Sequence, residues 1–384
     1  MKTRSKRSVF GVAGLASAVA VLVAQAQSGP LHSTLPAPAP KMAEEVYKNI
    51  QVLKGVSAEQ VIPAMQFISA SLGVECEHCH VEQAFEKDDK KPKQTARKMI
   101  QMMFAINKDN FNGHREVTCY SCHHGATDPA GTPLVADEGT IVAPREAMKP
   151  RGANPATMPT PDQLLEKFVQ ALGGADALQR ISSRVEKGTL TGFGDRQFPI
   201  EVFAKAPNKR VSVVRLSSGD SITAYDGRIG WLGMSGRPPH EMTSVEVEGA
   251  RLDADFYLPL HIKDRFSQLG VEPAEKVGDQ ETFLLRGENP GQPPVRFYLS
   301  QQSGLLVRLV RYVETPLGRN PTQIDYADYR DAEGIKVPFR WTLARPGGRF
   351  TIQIDQIQQN VPIDDGKFAK PPEPPAPPQK PNSP

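Results

Sequence analysis

Apolar positions repeat at two different periods along this chain, and the change from one to the other divides it. In "VSAEQVIPAMQFISASLG" Val61, Met65, Ile68 and Leu72 fall on one helix face. Ser57 and Gln60 offer a capping box, and Gly73 suits the helix exit. Pro63 is expected to kink this helix or delay its start. A second helix is predicted over Lys93 to Asn107, where Met99, Met102, Met103 and Ile106 share one stripe. A third begins at "TPDQLLEKFVQALGG", with Thr160 as N-cap, Pro161 at the first helical position and Gln163 closing the box. Leu165, Phe168, Val169 and Leu172 form its apolar stripe, and a short helix near Ala175 to Ile181 follows.

Beyond that point the period drops to two. Val295, Phe297 and Leu299 alternate in "VRFYLS", Leu305, Val307 and Leu309 in "LLVRLVRY", and Phe350, Ile352 and Ile354 in "FTIQI". Asp226 and Gly227 join "SITAY" to "RIGWLG" as a hairpin. About ten strands, mostly antiparallel, are expected between Val185 and Ile357. The fold class is multidomain: an all-α N-terminal domain, then an α+β domain with N-terminal helices and a curved antiparallel sheet forming an open barrel.

Composition marks the boundaries. Lys2, Arg4, Lys6 and Arg7 precede an apolar run from Val9 to Val23 and an A-x-A site at Ala24-Gln25-Ala26, so residues 1–26 read as an export signal. Taking that leader's +4 from a net charge of +3 leaves −1, so the mature chain has no basic excess for a nucleic-acid partner. Residues 27–40 form a Pro/Ala-rich linker, and five prolines between Pro144 and Pro161 mark a second linker at 144–160. The domains are then 41–143 and 161–369, and the proline-rich tail at 370–384 is expected to stay extended or disordered.

All four cysteines stand in two C-x-x-C pairs, Cys76 with Cys79 and Cys119 with Cys122. In an exported chain such pairs suggest disulfides, and in tandem they also suggest zinc. Neither explains His80 directly after Cys79 and His123 directly after Cys122. C-x-x-C-H is the attachment signature of c-type haem: the thiols become thioethers and the next imidazole turns to the iron. Two covalently bound haems are therefore expected, with His80 and His123 as proximal ligands. A methionine opposite the histidine raises the potential of such a haem. Met65 faces inward before the first motif, but periodicity does not choose among Met99, Met102 and Met103 before the second. Methionines on a helix face are more often core fillers. His114 and His124 are further candidates that spacing does not select, and His78 is a weaker one.

The stretch "VYKNIQVLKGVSAEQVIPAMQFISASLGVECEHCH", with "ARKMIQMMFAIN" and "VTCYSCHHG", resembles the cytochrome c subunit of photosynthetic reaction centres over about Val46 to Gly125. The resemblance implies Met65 as distal ligand for the first haem and Met99 for the second. Many members of that family carry four haems, whereas this chain has two motifs, and His124 stands where the family usually has arginine. The later domain, through phrases such as "YDGRIGW" and "YRDAEGIKVPFRW", is similar to the lipoprotein-carrier half-barrel of periplasmic lipoprotein-sorting proteins. Its concave face is a candidate for an apolar ligand or a partner segment.

The expected function is periplasmic electron transfer between redox partner proteins, which are expected to be membrane-associated. Two other classes compete: a two-haem peroxidase, which needs an iron with an open distal site, and a redox-sensing binding module built on the half-barrel. His240 and His261 are isolated in the sequence, and no catalytic set is visible in the second domain.

Overall fold

In a computed structural model of the chain, the residues described are 40–129, 158–192, 194, 196–272, 276–346 and 348–373. The expected leader, nearly all of the first linker, residues 144–157 of the second and the tail from 374 onward lie outside them.

Residues 40–129 are helical with two isolated bridges, Met42 to Ser57 and Val81 to Ala84. Their helices are α1 (Ala43–Val46), α2 (Val61–Leu72), α3 (Cys76–Cys79), α4 (Lys91–Asn110) and α5 (Cys119–His123). The capping box expected at Ser57 and Gln60 is not made. Ser57 precedes a 3-10 turn, Ala58–Gln60, without a side-chain bond, and α2 starts only at Val61. Pro63 thus lies in the first helical turn, where its missing N–H would have had no intrahelical acceptor. Gly73 ends α2 in the left-handed region at φ 66°, as expected. The helix α4 runs past its predicted limits at both ends, with Pro92 in its first turn.

The second part holds α6 (Pro161–Leu172), α7 (Ala175–Gln179), α8 (Ser244–Ala254) and α9 (Leu258–Arg265). Thr160 accepts from the Gln163 N–H and Gln163 answers at the Thr160 N–H, so the predicted box closes α6. The first eight strands are β1 (Ser183–Gly192), β2 (Arg196–Lys205), β3 (Lys209–Leu216), β4 (Gly219–Tyr225), β5 (Gly230–Met234), β6 (Arg237–Glu241), β7 (Gln268–Glu272) and β8 (Lys276–Val277). The remaining six are β9 (Gln280–Glu288), β10 (Val295–Ser300), β11 (Leu306–Thr315), β12 (Gly318–Ala332), β13 (Ile335–Arg345) and β14 (Gly348–Gln359).

Among the described residues these fourteen strands form one open antiparallel sheet, ordered β6-β5-β4-β3-β2-β1-β14-β13-β12-β11-β10-β9-β7, with β8 beside β9. About ten were expected, since short pieces such as β8 carry too few residues to show alternation. The expectation also missed α8 and α9, which interrupt the strands. Local turns make most of the neighbours, whereas β1 against β14 joins segments more than 150 residues apart, with Arg184 opposite Gln359.

One face of the sheet is covered by helices. Leu164, Leu165, Phe168 and Leu172 of α6, with Leu252 of α8 and Ile262 of α9, pack on Phe297, Leu299, Leu309 and Ile335. Val169 is only partly buried there, and Leu164 takes its expected place. Val307 was read as sharing a face with Leu309, but it packs in a different cluster with Leu284, Tyr298 and Val310. A register shift between Tyr298 and Leu299 explains it: Tyr298 faces Arg308 and Leu299 faces Leu306, leaving Val307 as the extra residue of a bulge. The tail also begins later than expected, because Pro371 is buried and lies against Gly233.

The helical segment and the sheet share a core. Leu317, in the two-residue turn between β11 and β12, is fully buried among Leu53, Ala64, Ile68, Ile100 and Met103. The Thr315 hydroxyl fixes this turn, accepting from the Gly318 N–H at 3.0 Å and donating to the Gly318 carbonyl at 2.7 Å. Gly318 has to lack a side chain, since a Cβ there would lie 2.2 Å from the Phe67 ring of α2. Asn320 donates to the Pro63 carbonyl at 2.7 Å, Arg115 pairs with Glu314, and the Ser244 hydroxyl donates to Glu59 at 2.6 Å. Among the described residues, no helix is long and apolar enough to cross a membrane.

Candidate cofactor site

Each cysteine motif folds into a single helical turn, the first as α3 and the second as α5. All four cysteines are free, with Cys76 and Cys122 exposed and Cys79 and Cys119 half-buried. Burial pushes the Cys79 and Cys119 thiols above their ordinary range, so both stay protonated near neutral pH. Among the described residues, no three His, Cys, Asp or Glu side chains converge as a metal-ligand cluster.

The histidines behind the two motifs make the same contact. His80 Nδ1 lies 2.9 Å from the Phe85 carbonyl oxygen, and His123 Nδ1 lies 2.9 Å from that of Ala126. A carbonyl oxygen only accepts, so Nδ1 is the donor in both rings and Nε2 is the nitrogen left to ligate. A histidine that ligates a metal is arranged in this way, with its second nitrogen donating to a fixed acceptor.

Tertiary contacts hold the second motif in place. Asn107, 5% exposed near the end of α4, donates to the Val117 carbonyl at 2.7 Å and accepts from the Val117 N–H at 2.9 Å. This folds the chain back along α4 just before Cys119. Thr118 then donates its N–H to the Ser121 hydroxyl at 3.0 Å, starting the turn. On the far side the Gly125 N–H donates to the Ser71 carbonyl at 2.9 Å. The backbones pass so closely that a Cβ on Gly73 would sit 2.2 Å from the Gly125 oxygen.

Between α2, α4 and α5 lies a cavity of about 300 Å³. Ile68 and Leu72 of α2 and Met99, Met102 and Ile106 of α4 line it with Cys119, Cys122 and His123, and His78 and Cys79 of the first motif reach its rim. An apolar cavity lined by two thiols and the imidazole of His123, whose Nδ1 is taken up by a carbonyl, fits a covalently attached haem in donor set. The structure thus brings Met99 together with Cys119, Cys122 and His123, but it brings Met102 as well. Met99 is 39% exposed and Met102 47%. Met103, 4% exposed, lines the cavity too and at the same time belongs to the shared core. Met65 is half-buried against that same core, beside Phe67 and Leu72, and does not line the cavity.

Among the described residues, the other histidines lie apart from this arrangement. His114 is exposed, and exposed His124 caps α5 in the left-handed region with its ring edge-on to Tyr120. In the second part, His261 Nδ1 donates to Asp255 Oδ1 at 2.8 Å, beside Arg265. His240 is exposed near Glu246.

Comparison with known proteins agrees with the first resemblance. Residues 14–179 match the family described as the photosynthetic reaction centre cytochrome C subunit. The chain is 34% identical over 117 residues to a photosynthetic reaction center cytochrome c subunit of Thermochromatium tepidum, covering 29% of this chain and 28% of the relative. It is 36% identical over 85 residues to cytochrome c-554 of Chloroflexus aurantiacus, covering 20% of each. The matched part thus spans between a fifth and somewhat over a quarter of these relatives. A LolA superfamily protein from Nitrosomonas europaea covers 56% of this chain and 99% of its own, at 14% identity and a TM-score of 0.38.

Proposed function

We propose that the chain is an exported, periplasmic two-haem c-type cytochrome that passes electrons between protein redox partners. The observation that carries this reading is the matched pair of Nδ1-to-carbonyl bonds at His80 and His123, each one residue behind a C-x-x-C turn. In this reading Cys76, Cys79, Cys119 and Cys122 hold the two porphyrins as thioethers, and His80 and His123 offer Nε2 to the irons. When bound, haem supplies a one-electron iron couple; the chain supplies ligands, burial and spacing. Ile68, Leu72 and Ile106 give the second site an apolar wall, and Met99 offers its sulfur there. Met65 is proposed for the first site on the family resemblance.

The shared rim supports transfer within the chain, since Cys79 of the first motif and Cys119 of the second line one cavity. Membrane-bound partners are proposed because the Thermochromatium tepidum relative bears the name of a reaction center subunit.

A haem stain on a denaturing gel and a pyridine haemochrome assay, run on protein from a host able to mature c-type haem, test the reading. Two haems per chain and a low-spin reduced-minus-oxidised spectrum are expected; an unstained band refutes it. For residues 161–369 the proposal includes a sheet curved into an open half-barrel. Partly exposed Leu190, Val214, Trp341 and Leu343 around a cluster of strand residues support a face able to receive an apolar segment. Lipid extracted with the purified protein tests that part.

A further inference from the structure

Lys93, in the first turns of α4, is 8% exposed, an unusual depth for a lysine. Its ammonium group is fully engaged: Nζ donates to the Phe85 carbonyl at 2.8 Å and to the Lys87 carbonyl at 2.7 Å, and lies 3.1 Å from Asp88 Oδ1. The Phe85 oxygen is the same atom that accepts from His80 Nδ1 at 2.9 Å. One carbonyl therefore receives both the histidine's proton and a buried cation.

The surroundings hold this arrangement rigid. Asp88 also accepts from Arg97 at 2.9 Å and from Asn49 at 3.0 Å. Asn49 in turn bonds the Glu86 carbonyl at 2.5 Å, and Lys90 bonds the Glu77 carbonyl inside the first motif. The loop is pinned to α4 at Phe85, Lys87 and Asp88. At the second motif the matching acceptor is the Ala126 oxygen, to which no cation bonds among the described residues.

The chemical consequence follows from how a ligating imidazole is tuned. A strong Nδ1–H···O bond pushes electron density to Nε2 and favours the oxidised metal. A cation on the same oxygen draws its lone-pair density away, weakens that push and favours the reduced metal. The geometry points to Lys93 as a positioning and tuning residue: by sharing the Phe85 carbonyl with His80, it sets the first haem at a higher potential than this histidine would give with a cation-free carbonyl, as at His123. The inference rests on the reading of the preceding section. The step concerned is a one-electron reduction of ferric to ferrous iron by a reduced protein donor, with no proton transferred.

The test uses the full-length, haem-loaded protein. Spectroelectrochemical titration of Lys93→Met, which keeps the aliphatic stem, is expected to lower the first haem's reduction constant about tenfold, or ~59 mV for a one-electron couple, with the second haem unmoved. Lys98→Met removes an exposed charge from the same helix and is expected to move neither haem by as much. In the unmutated protein, NMR is expected to show a weaker Nδ1–H hydrogen bond at His80 than at His123, and Lys93→Met should strengthen the former. This comparison needs no variant, so it stands even where Lys93→Met fails to fold. Two haems with potentials unmoved by Lys93→Met, an equal shift from Lys98→Met, or equal Nδ1–H bonds in the two histidines overturn this inference alone. A chain that matures without haem overturns it together with the proposed function.

Discussion

Replacing Leu317 by alanine tests whether the helical segment and the sheet form one folded body. Leu317 sits at a β-turn tip, a position that in an isolated sheet would face water. Here it is fully buried, against Leu53, Ala64, Ile68, Ile100 and Met103. Truncation removes three carbon groups, about 2.4 kcal/mol of transfer free energy at roughly 0.8 kcal/mol each. The cavity term adds to this, because Thr315 and Asn320 hold the turn and the site cannot collapse freely, so a total of about 3 kcal/mol is expected. That is about a hundredfold in the folding constant. Guanidinium unfolding of the full-length, haem-loaded protein, followed by the Soret band and by far-UV circular dichroism, should show a lower midpoint with an unchanged slope. If Leu317 is instead a surface residue on an independent domain, the loss stays below about 0.5 kcal/mol, and that result would refute the shared core.

The other predictions concern the site and its supports. Gly318→Ala should destabilise by about 1–3 kcal/mol through the clash with Phe67, and Phe67→Leu in the same chain should recover part of it, measured by the same titration. Gly73→Ala meets backbone rather than a side chain and adds strain at φ 66°, so it should cost more than Gly318→Ala and broaden the second haem's absorption. Met99→Ala should remove one low-spin haem signal and lower that haem's potential; an unchanged spectrum moves the ligand to Met102 or Met103. Hydrogen bonds from Arg97 first, then Asn49 and Lys93, hold the Asp88 carboxyl far below its ordinary range. Its contribution to stability is therefore complete above the unfolded value near ~3.9 and declines as pH falls toward the folded value. Asp88→Asn should flatten the acid limb of a stability–pH curve below about pH 4.

The proposed chemistry is legible in the sequence because covalent haem attachment is a local requirement. Two thiols and an imidazole must fit one helical turn, so the spacing of Cys76, Cys79 and His80, and of Cys119, Cys122 and His123, carries the signal without any tertiary context. The box at Thr160 and the exit at Gly73 were equally local, and both formed. The box at Ser57 failed because Pro63 shifted the helix start, and Val307 changed face because one inserted residue reverses alternation along a strand.

What the sequence determined was the helical and two-residue periods and the two C-x-x-C-H motifs that the proposed function rests on. Only the tertiary structure decided that Leu317 fills a core more than 200 residues away, that Asn107 clasps the second motif, that β1 lies beside β14, and that Lys93 shares an acceptor with His80. Each of these depends on groups distant in sequence meeting in space. Their energy comes from excluded water and from satisfied buried polar atoms, and neither has a period along the chain.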